Sequence, residues 1–77
     1  MKAKVYGTSR CSWCDRVAKI LEEKEVTVEK IDISGSKELF KEMQEAVGQK
    51  VSTVPQVIID NEYVGGFTEV ERFLNRL

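Results

Sequence analysis

The sequence predicts an α/β fold of order βαβαββα, with one four-stranded mixed sheet and three helices. Three observations carry this. Runs rich in β-branched residues alternate with segments whose apolar residues recur at helical spacing. Glycine and serine break the chain between them, at Gly7, Ser34-Gly35-Ser36, Gly48 and Gly65-Gly66. The 77 residues are the length of one small domain, spanning 1–77.

Taken in order, Lys2 to Tyr6 reads as a short strand ending at Gly7. Ser12 to Lys24 reads as a helix with Val17, Ala18, Ile20 and Leu21 as its apolar stripe, and Ser12 to Asp15 has capping-box spacing at its start. Val26 to Ile33 is the second strand. Lys37 to Val47 is the second helix, with Leu39, Phe40, Met43, Ala46 and Val47 on one face and Gly48 as its stop. A loop through Gln49 to Thr53 reaches Pro55, the only proline, and Gln56 to Asp60 is the third strand. Asp60-Asn61 suits a tight hairpin turn, because both residues tolerate positive φ. Glu62 to Val64 follows as the fourth strand. Thr68 to Leu77 is the last helix, with Val70, Phe73, Leu74 and Leu77 inward and Thr68 and Glu71 at capping-box spacing. The first βαβ should be parallel with a right-handed crossover, and the last two strands an antiparallel hairpin.

Composition narrows the function classes. The 12 basic and 13 acidic residues leave a net charge of −1, with no run of like charge. This argues against nucleic acid or an acidic membrane surface as the main partner. No apolar stretch approaches the ~20 residues of a membrane helix, and the start of the chain lacks the apolar core of a signal peptide. The expected compartment is a reducing cytoplasm. There, two cysteines confined to one four-residue motif point to redox chemistry or metal and not to a staple.

Cys11-Ser12-Trp13-Cys14 stands just after the first strand, at the start of the first helix. Free N–H groups and the helix dipole stabilise an anion at such a place. A thiolate is that anion, so the Cys11 pKa should be lowered, with Arg10 adding a positive charge beside it. The thiolate attacks in disulfide exchange, which makes Cys11 the nucleophile. Cys14, one turn on and on the same face, is placed to resolve a mixed disulfide. A structural disulfide would close a tiny loop and stabilise little. A zinc site needs about four ligands, and the chain has no other cysteine and no histidine. Trp13 is either an exposed wall beside the sulfur or a packed aromatic. Arg10 either tunes Cys11, contacts an anionic substrate or is solvated.

At these residues the chain resembles the glutaredoxins, a branch of the thioredoxin superfamily, and the resemblance covers nearly its whole length. It rests on Cys11-Ser12-Trp13-Cys14, Thr53-Val54-Pro55 and Gly65-Gly66, in the family's order. The short chain and its Gly66-Phe67 step resemble phage and bacterial members. The resemblance implies a thioredoxin-like fold and glutathione as co-substrate, with no tightly bound cofactor. It implies a cis bond before Pro55, with Val54 pairing its backbone with glutathione as an added strand. It also implies that Gly66, Phe67, Thr68 and Glu69 receive the γ-glutamyl end, Glu69 facing the amino group. Thr68 has plain helix capping as its alternative role. Protein disulfides are the other implied substrates, ribonucleotide reductase among them, and a monomer is the expected form.

The sequence departs from the family in three places. Ser12-Trp13 stands where Pro-Tyr or Pro-Phe is common, Thr8 where a lysine is common, and Gly48 to Thr53 is about two residues longer. Arg10 or Lys50 could replace that lysine. Two other readings follow from the departures. One is a redoxin of the same fold reduced by thioredoxin reductase. The other is a dimeric, non-enzymatic carrier of an iron–sulfur cluster held by Cys11 and glutathione.

Overall fold

A computed structural model describes residues 1–77. The elements are β1 (Lys2–Gly7), α1 (Ser12–Glu23), β2 (Thr27–Asp32), α2 (Lys37–Val47), β3 (Gln56–Ile59), β4 (Glu62–Gly65) and α3 (Phe67–Asn75). The βαβαββα order and the four-stranded mixed sheet are those the sequence predicts. The strands lie in the order β2-β1-β3-β4. β1 runs parallel to β2 and antiparallel to β3, and β3 is antiparallel to β4. β3 is therefore a central strand, and all four of its residues are buried.

Strand alternation divides the core in two. Ala3 and Val5 of β1 and Val57 and Ile59 of β3 face one side, packed with Val17 and Leu21 of α1 and Val70 and Leu74 of α3. Tyr6 and Ile58 face the other side, against Met43 and Val47 of α2. Two helices thus cover one face and a single helix the other. The Tyr6 hydroxyl, at the end of a buried side chain, donates to Glu42 Oε2 at 3.2 Å and ties β1 to α2.

The local signals hold with corrections at the ends. The Asp60-Asn61 turn has φ of 49° and 69°, as a two-residue hairpin of this kind requires. Gly48 ends α2 in the left-handed region at φ 84°. Val26 and Ile33 lie just outside β2 yet are buried, so their apolar character reports the core and not the ladder. Ala46 is exposed, because α2 turns only Met43 and Val47 fully inward. Leu77 follows α3 and is 70% exposed. Glu25, with φ 63°, makes the turn out of α1 without a glycine to mark it.

Two expected helix caps move. Cys11, not Ser12, is the N-cap of α1. Gly66 is the N-cap of α3, so Thr68 lies inside the helix and Glu71 takes no part in the cap. Glu69 accepts the Gly66 N–H at 2.8 Å, which is the carboxylate half of a capping box.

Candidate active site

The site grows from the turn at the end of β1. The chain leaves the sheet at Gly7, and the Cys11 N–H donates to the Thr8 carbonyl at 3.3 Å. This delivers Cys11 to the start of α1 with extended backbone, φ −93° and ψ 101°. Its sulfur takes the place a serine or aspartate oxygen usually fills and accepts the Cys14 N–H at 3.1 Å. The helix N-terminus is therefore aimed at the Cys11 sulfur, where negative charge is favoured.

Cys11 and Cys14 are joined in a disulfide, with their Cα atoms 5.2 Å apart. Their surroundings differ. Cys11 is half-buried, whereas Cys14 is 5% exposed and belongs to the core between the sheet, α1 and α3. Gly7 makes room for it. A side chain at Gly7 would run into Cys14 Sγ, and its Cβ would stand 3.1 Å from Cys14 Cβ. An outside disulfide can reach Cys11 and not Cys14. Accessibility therefore separates the two sulfurs, with Cys11 open to a first attack and Cys14 sheltered behind it.

Beside the pair lies an open groove of about 580 Å³. It is lined by Trp13, by Thr53, Val54 and Pro55, and by Gly66, Phe67, Thr68 and Glu69. The Val54–Pro55 bond is cis. Trp13 is 50% exposed, so it is a wall and not a packed core aromatic. Its ring stands 5.1 Å from that of Phe67, and the Arg16 guanidinium lies 4.8 Å above it. The groove ends at the start of α3, where Gly66 has no side chain to cap the first-turn N–H groups.

Residues of three separated motifs thus meet in one groove. Arg10 does not join them. It is exposed on the turn before Cys11 and does not line the groove. Lys50 is likewise exposed and away from the lining, where Val51 stands instead. Glu69 already has one oxygen on the Gly66 N–H, so only part of its carboxylate remains for a ligand.

Several site residues carry no motif. Gly7 matters only through the sulfur packed against it. Tyr63 and Gln56 also line the groove. One signal for Gln56 was legible, since it is the polar residue opening an otherwise apolar run, Gln56-Val57-Ile58-Ile59. Arg16, one turn beyond Ser12, could be placed over Trp13 only once α1 was known to start at Ser12.

Comparison with known proteins agrees with this geometry. The family model described as Glutaredoxin matches residues 3–64. Glutaredoxin 1 of Escherichia coli K12 is 32% identical over 75 residues, covering 90% of this chain and 87% of its own. The glutaredoxin of Neisseria meningitidis serogroup A is 36% identical over 69 residues, covering 88% and 79%. Among solved structures, reduced Escherichia coli glutaredoxin superposes with a TM-score of 0.83 at 25% identity, covering 99% of this chain and 95% of that one. Glutaredoxin 1 from Francisella tularensis, complexed with cacodylate, superposes with a TM-score of 0.74 at 31% identity, covering 97% and 93%. The chain belongs to the glutaredoxin family and exchanges thiols and disulfides through the Cys11–Cys14 pair.

Proposed function

We propose that glutathione is the co-substrate and that it lies in the groove between Trp13, Val54 and Gly66. The observation that carries this is the groove itself. It is lined by Trp13, two residues along the chain from the half-buried Cys11, by Val54, and by Gly66 at a helix start without a side-chain cap. An extended tripeptide fits such a path. Its cysteine backbone pairs with Val54 as an added strand, and its γ-glutamyl carboxylate meets the first-turn N–H groups of α3.

The cycle needs no group beyond the two cysteines and glutathione. Cys11 thiolate attacks the glutathione sulfur of a mixed disulfide. The S–S bond breaks, the other thiolate leaves and takes up a proton, and glutathione stays on Cys11. A second glutathione thiolate attacks that bond, releasing glutathione disulfide and Cys11 thiolate. With a protein disulfide, Cys11 forms the mixed bond. Cys14 then gives up its proton and attacks the Cys11 sulfur, and the protein leaves as a dithiol. The Cys11–Cys14 disulfide seen here is that end state, which two glutathione molecules reduce. Disulfide-containing proteins are the larger substrates, with ribonucleotide reductase one candidate by family analogy. A reducing cytoplasm is the compartment in which this cycle turns. No helix is long and apolar enough to cross a membrane.

The test is turnover of a glutathione mixed disulfide with NADPH. One arm supplies glutathione and glutathione reductase, the other thioredoxin reductase alone. Turnover in the first arm only is expected. Turnover in the second arm only would keep the Cys11–Cys14 chemistry and discard the glutathione groove, and Thr8, in place of the family's common lysine, would then be the reason.

A further inference from the structure

The loop that presents Val54 has no backbone of its own to hold it. Outside the helices and strands, 14 backbone–backbone hydrogen bonds are made, and none involves residues 49–55. Val51 and Val54 are half-buried and Thr53 is exposed, so the loop is held by whatever side chains reach its carbonyls. Two side-chain amides supply them. Gln44 of α2 donates from Nε2 to the Val51 carbonyl at 3.1 Å. Gln56 of β3 donates from Nε2 to the Thr53 carbonyl at 3.0 Å and to Thr53 Oγ1 at 3.1 Å.

Gln56 is the buried polar side chain of the core, 5% exposed. Its amide cannot be turned around. The Thr53 carbonyl only accepts, so the NH2 must face it, and the oxygen is left to accept from the Tyr63 hydroxyl at 2.7 Å. A tie therefore runs from β4 through Gln56 to the residue before Val54. It is anchored on a central strand of the sheet, while Gln44 anchors the other half of the loop on α2.

We propose that Gln56 and Gln44 are positioning residues, which hold the 49–55 loop so that the Val54 backbone meets glutathione at the right height above Cys11. This rests on the glutathione groove proposed above. Neither glutamine touches a reacting sulfur. Their effect should fall on substrate binding and spare the intrinsic reactivity of Cys11.

The test compares the wild type with Gln56→Met and Gln44→Met, which keep length and approximate volume but remove the amide. KM and kcat are measured with a glutathionylated peptide, and Cys11 of the reduced protein is alkylated with iodoacetamide. Gln56→Met, which removes two bonds donated to the loop, should raise KM about 10-fold, and Gln44→Met, which removes one, about 3-fold. The alkylation rate should stay within about twofold and kcat should move less than KM, as loss of ground-state binding requires. If Gln56→Met does not fold, Gln44→Met, at a half-buried position, still decides. Unchanged KM in the folded variants, or an alkylation rate that falls in step with kcat/KM, overturns the assignment while a saturating wild type keeps the glutathione groove. A wild type that shows no saturable turnover of the peptide overturns both.

Discussion

The chain passes from strand to helix twice at its working edge, and the two junctions are built alike but capped in opposite senses. At the β1–α1 junction a side chain fills the cap, with the Cys11 sulfur taking the Cys14 N–H at 3.1 Å. At the β4–α3 junction the cap is Gly66, which offers no acceptor and instead gives its own N–H to Glu69 at 2.8 Å. Each junction leaves its strand through a buried glycine, Gly7 or Gly65. The lesson concerns what the end of a helix is used for. Where the cap is a sulfur, the helix favours negative charge on the chain's own nucleophile. Where the cap is empty, the same N–H groups are left for a carboxylate from outside.

The comparison breaks most sharply at the cysteines. Cys11→Ser should abolish turnover of glutathione mixed disulfides and of protein disulfides alike. Cys14→Ser should keep the first activity and lose the second, because glutathione can replace the resolving thiol only on a small substrate. Paired assays read this directly. If Cys14→Ser were the more damaging change in both, the half-buried sulfur would not be the nucleophile.

The glycines sharpen it on a smaller scale. Gly65 sits at φ 130°, and a Cβ there would lie 2.8 Å from both Cβ and Cγ of Glu69. Gly65→Ala should cost about 3 kcal/mol in urea unfolding, from strain and crowding together. Gly7→Ala meets only the Cys14 side chain and should cost about 2 kcal/mol. Gly66→Ala meets nothing nearer than 3.4 Å and should stay within about 1 kcal/mol, the range of a poorer N-cap. Equal costs at Gly65 and Gly66 would contradict the division of roles between them.

The last effect, absent at neutral pH, lies on the opposite face of the sheet and serves as a control for both junctions. Burial, then the Glu42 carboxylate beside it, pushes the Tyr6 phenol up to about 12. The unfolded chain ionises near the ordinary value of 10. The native state therefore holds the proton where the unfolded state has lost it, and stability should fall as pH rises from about 10 to 12. It is fully present below that window. Tyr6→Phe should flatten this part of the curve, and it should do so equally in proteins altered at Gly7 or Gly65. A slope that depends on the junction variants would mean that the two faces of the sheet are coupled.

The sequence was most legible where a few neighbouring residues decide the outcome. The α2 bounds, the Asp60-Asn61 turn, the Gly48 stop and the cysteine pair at a helix start all follow from local periodicity, positive φ and backbone N–H groups awaiting a cap. Caps were less legible, because Ser12 and Thr68 carry the right chemistry one and two places past the residues, Cys11 and Gly66, where the chain enters its helices. Trp13 was open in the sequence between wall and core, and only its 50% exposure beside Phe67 settles it.

By itself, then, the sequence determined the order of elements and the chemistry available at Cys11 and Cys14, since both depend on spacing along the chain. The tertiary structure alone decided the strand order β2-β1-β3-β4, the lone helix on one face, the exclusion of Arg10 from the groove and the use of Gln44 and Gln56 to hold a loop. It also decided which cysteine is hidden, because burial belongs to residues brought together across the fold: Cys14 is shielded by a strand that ends seven residues before it, and no local pattern records that approach.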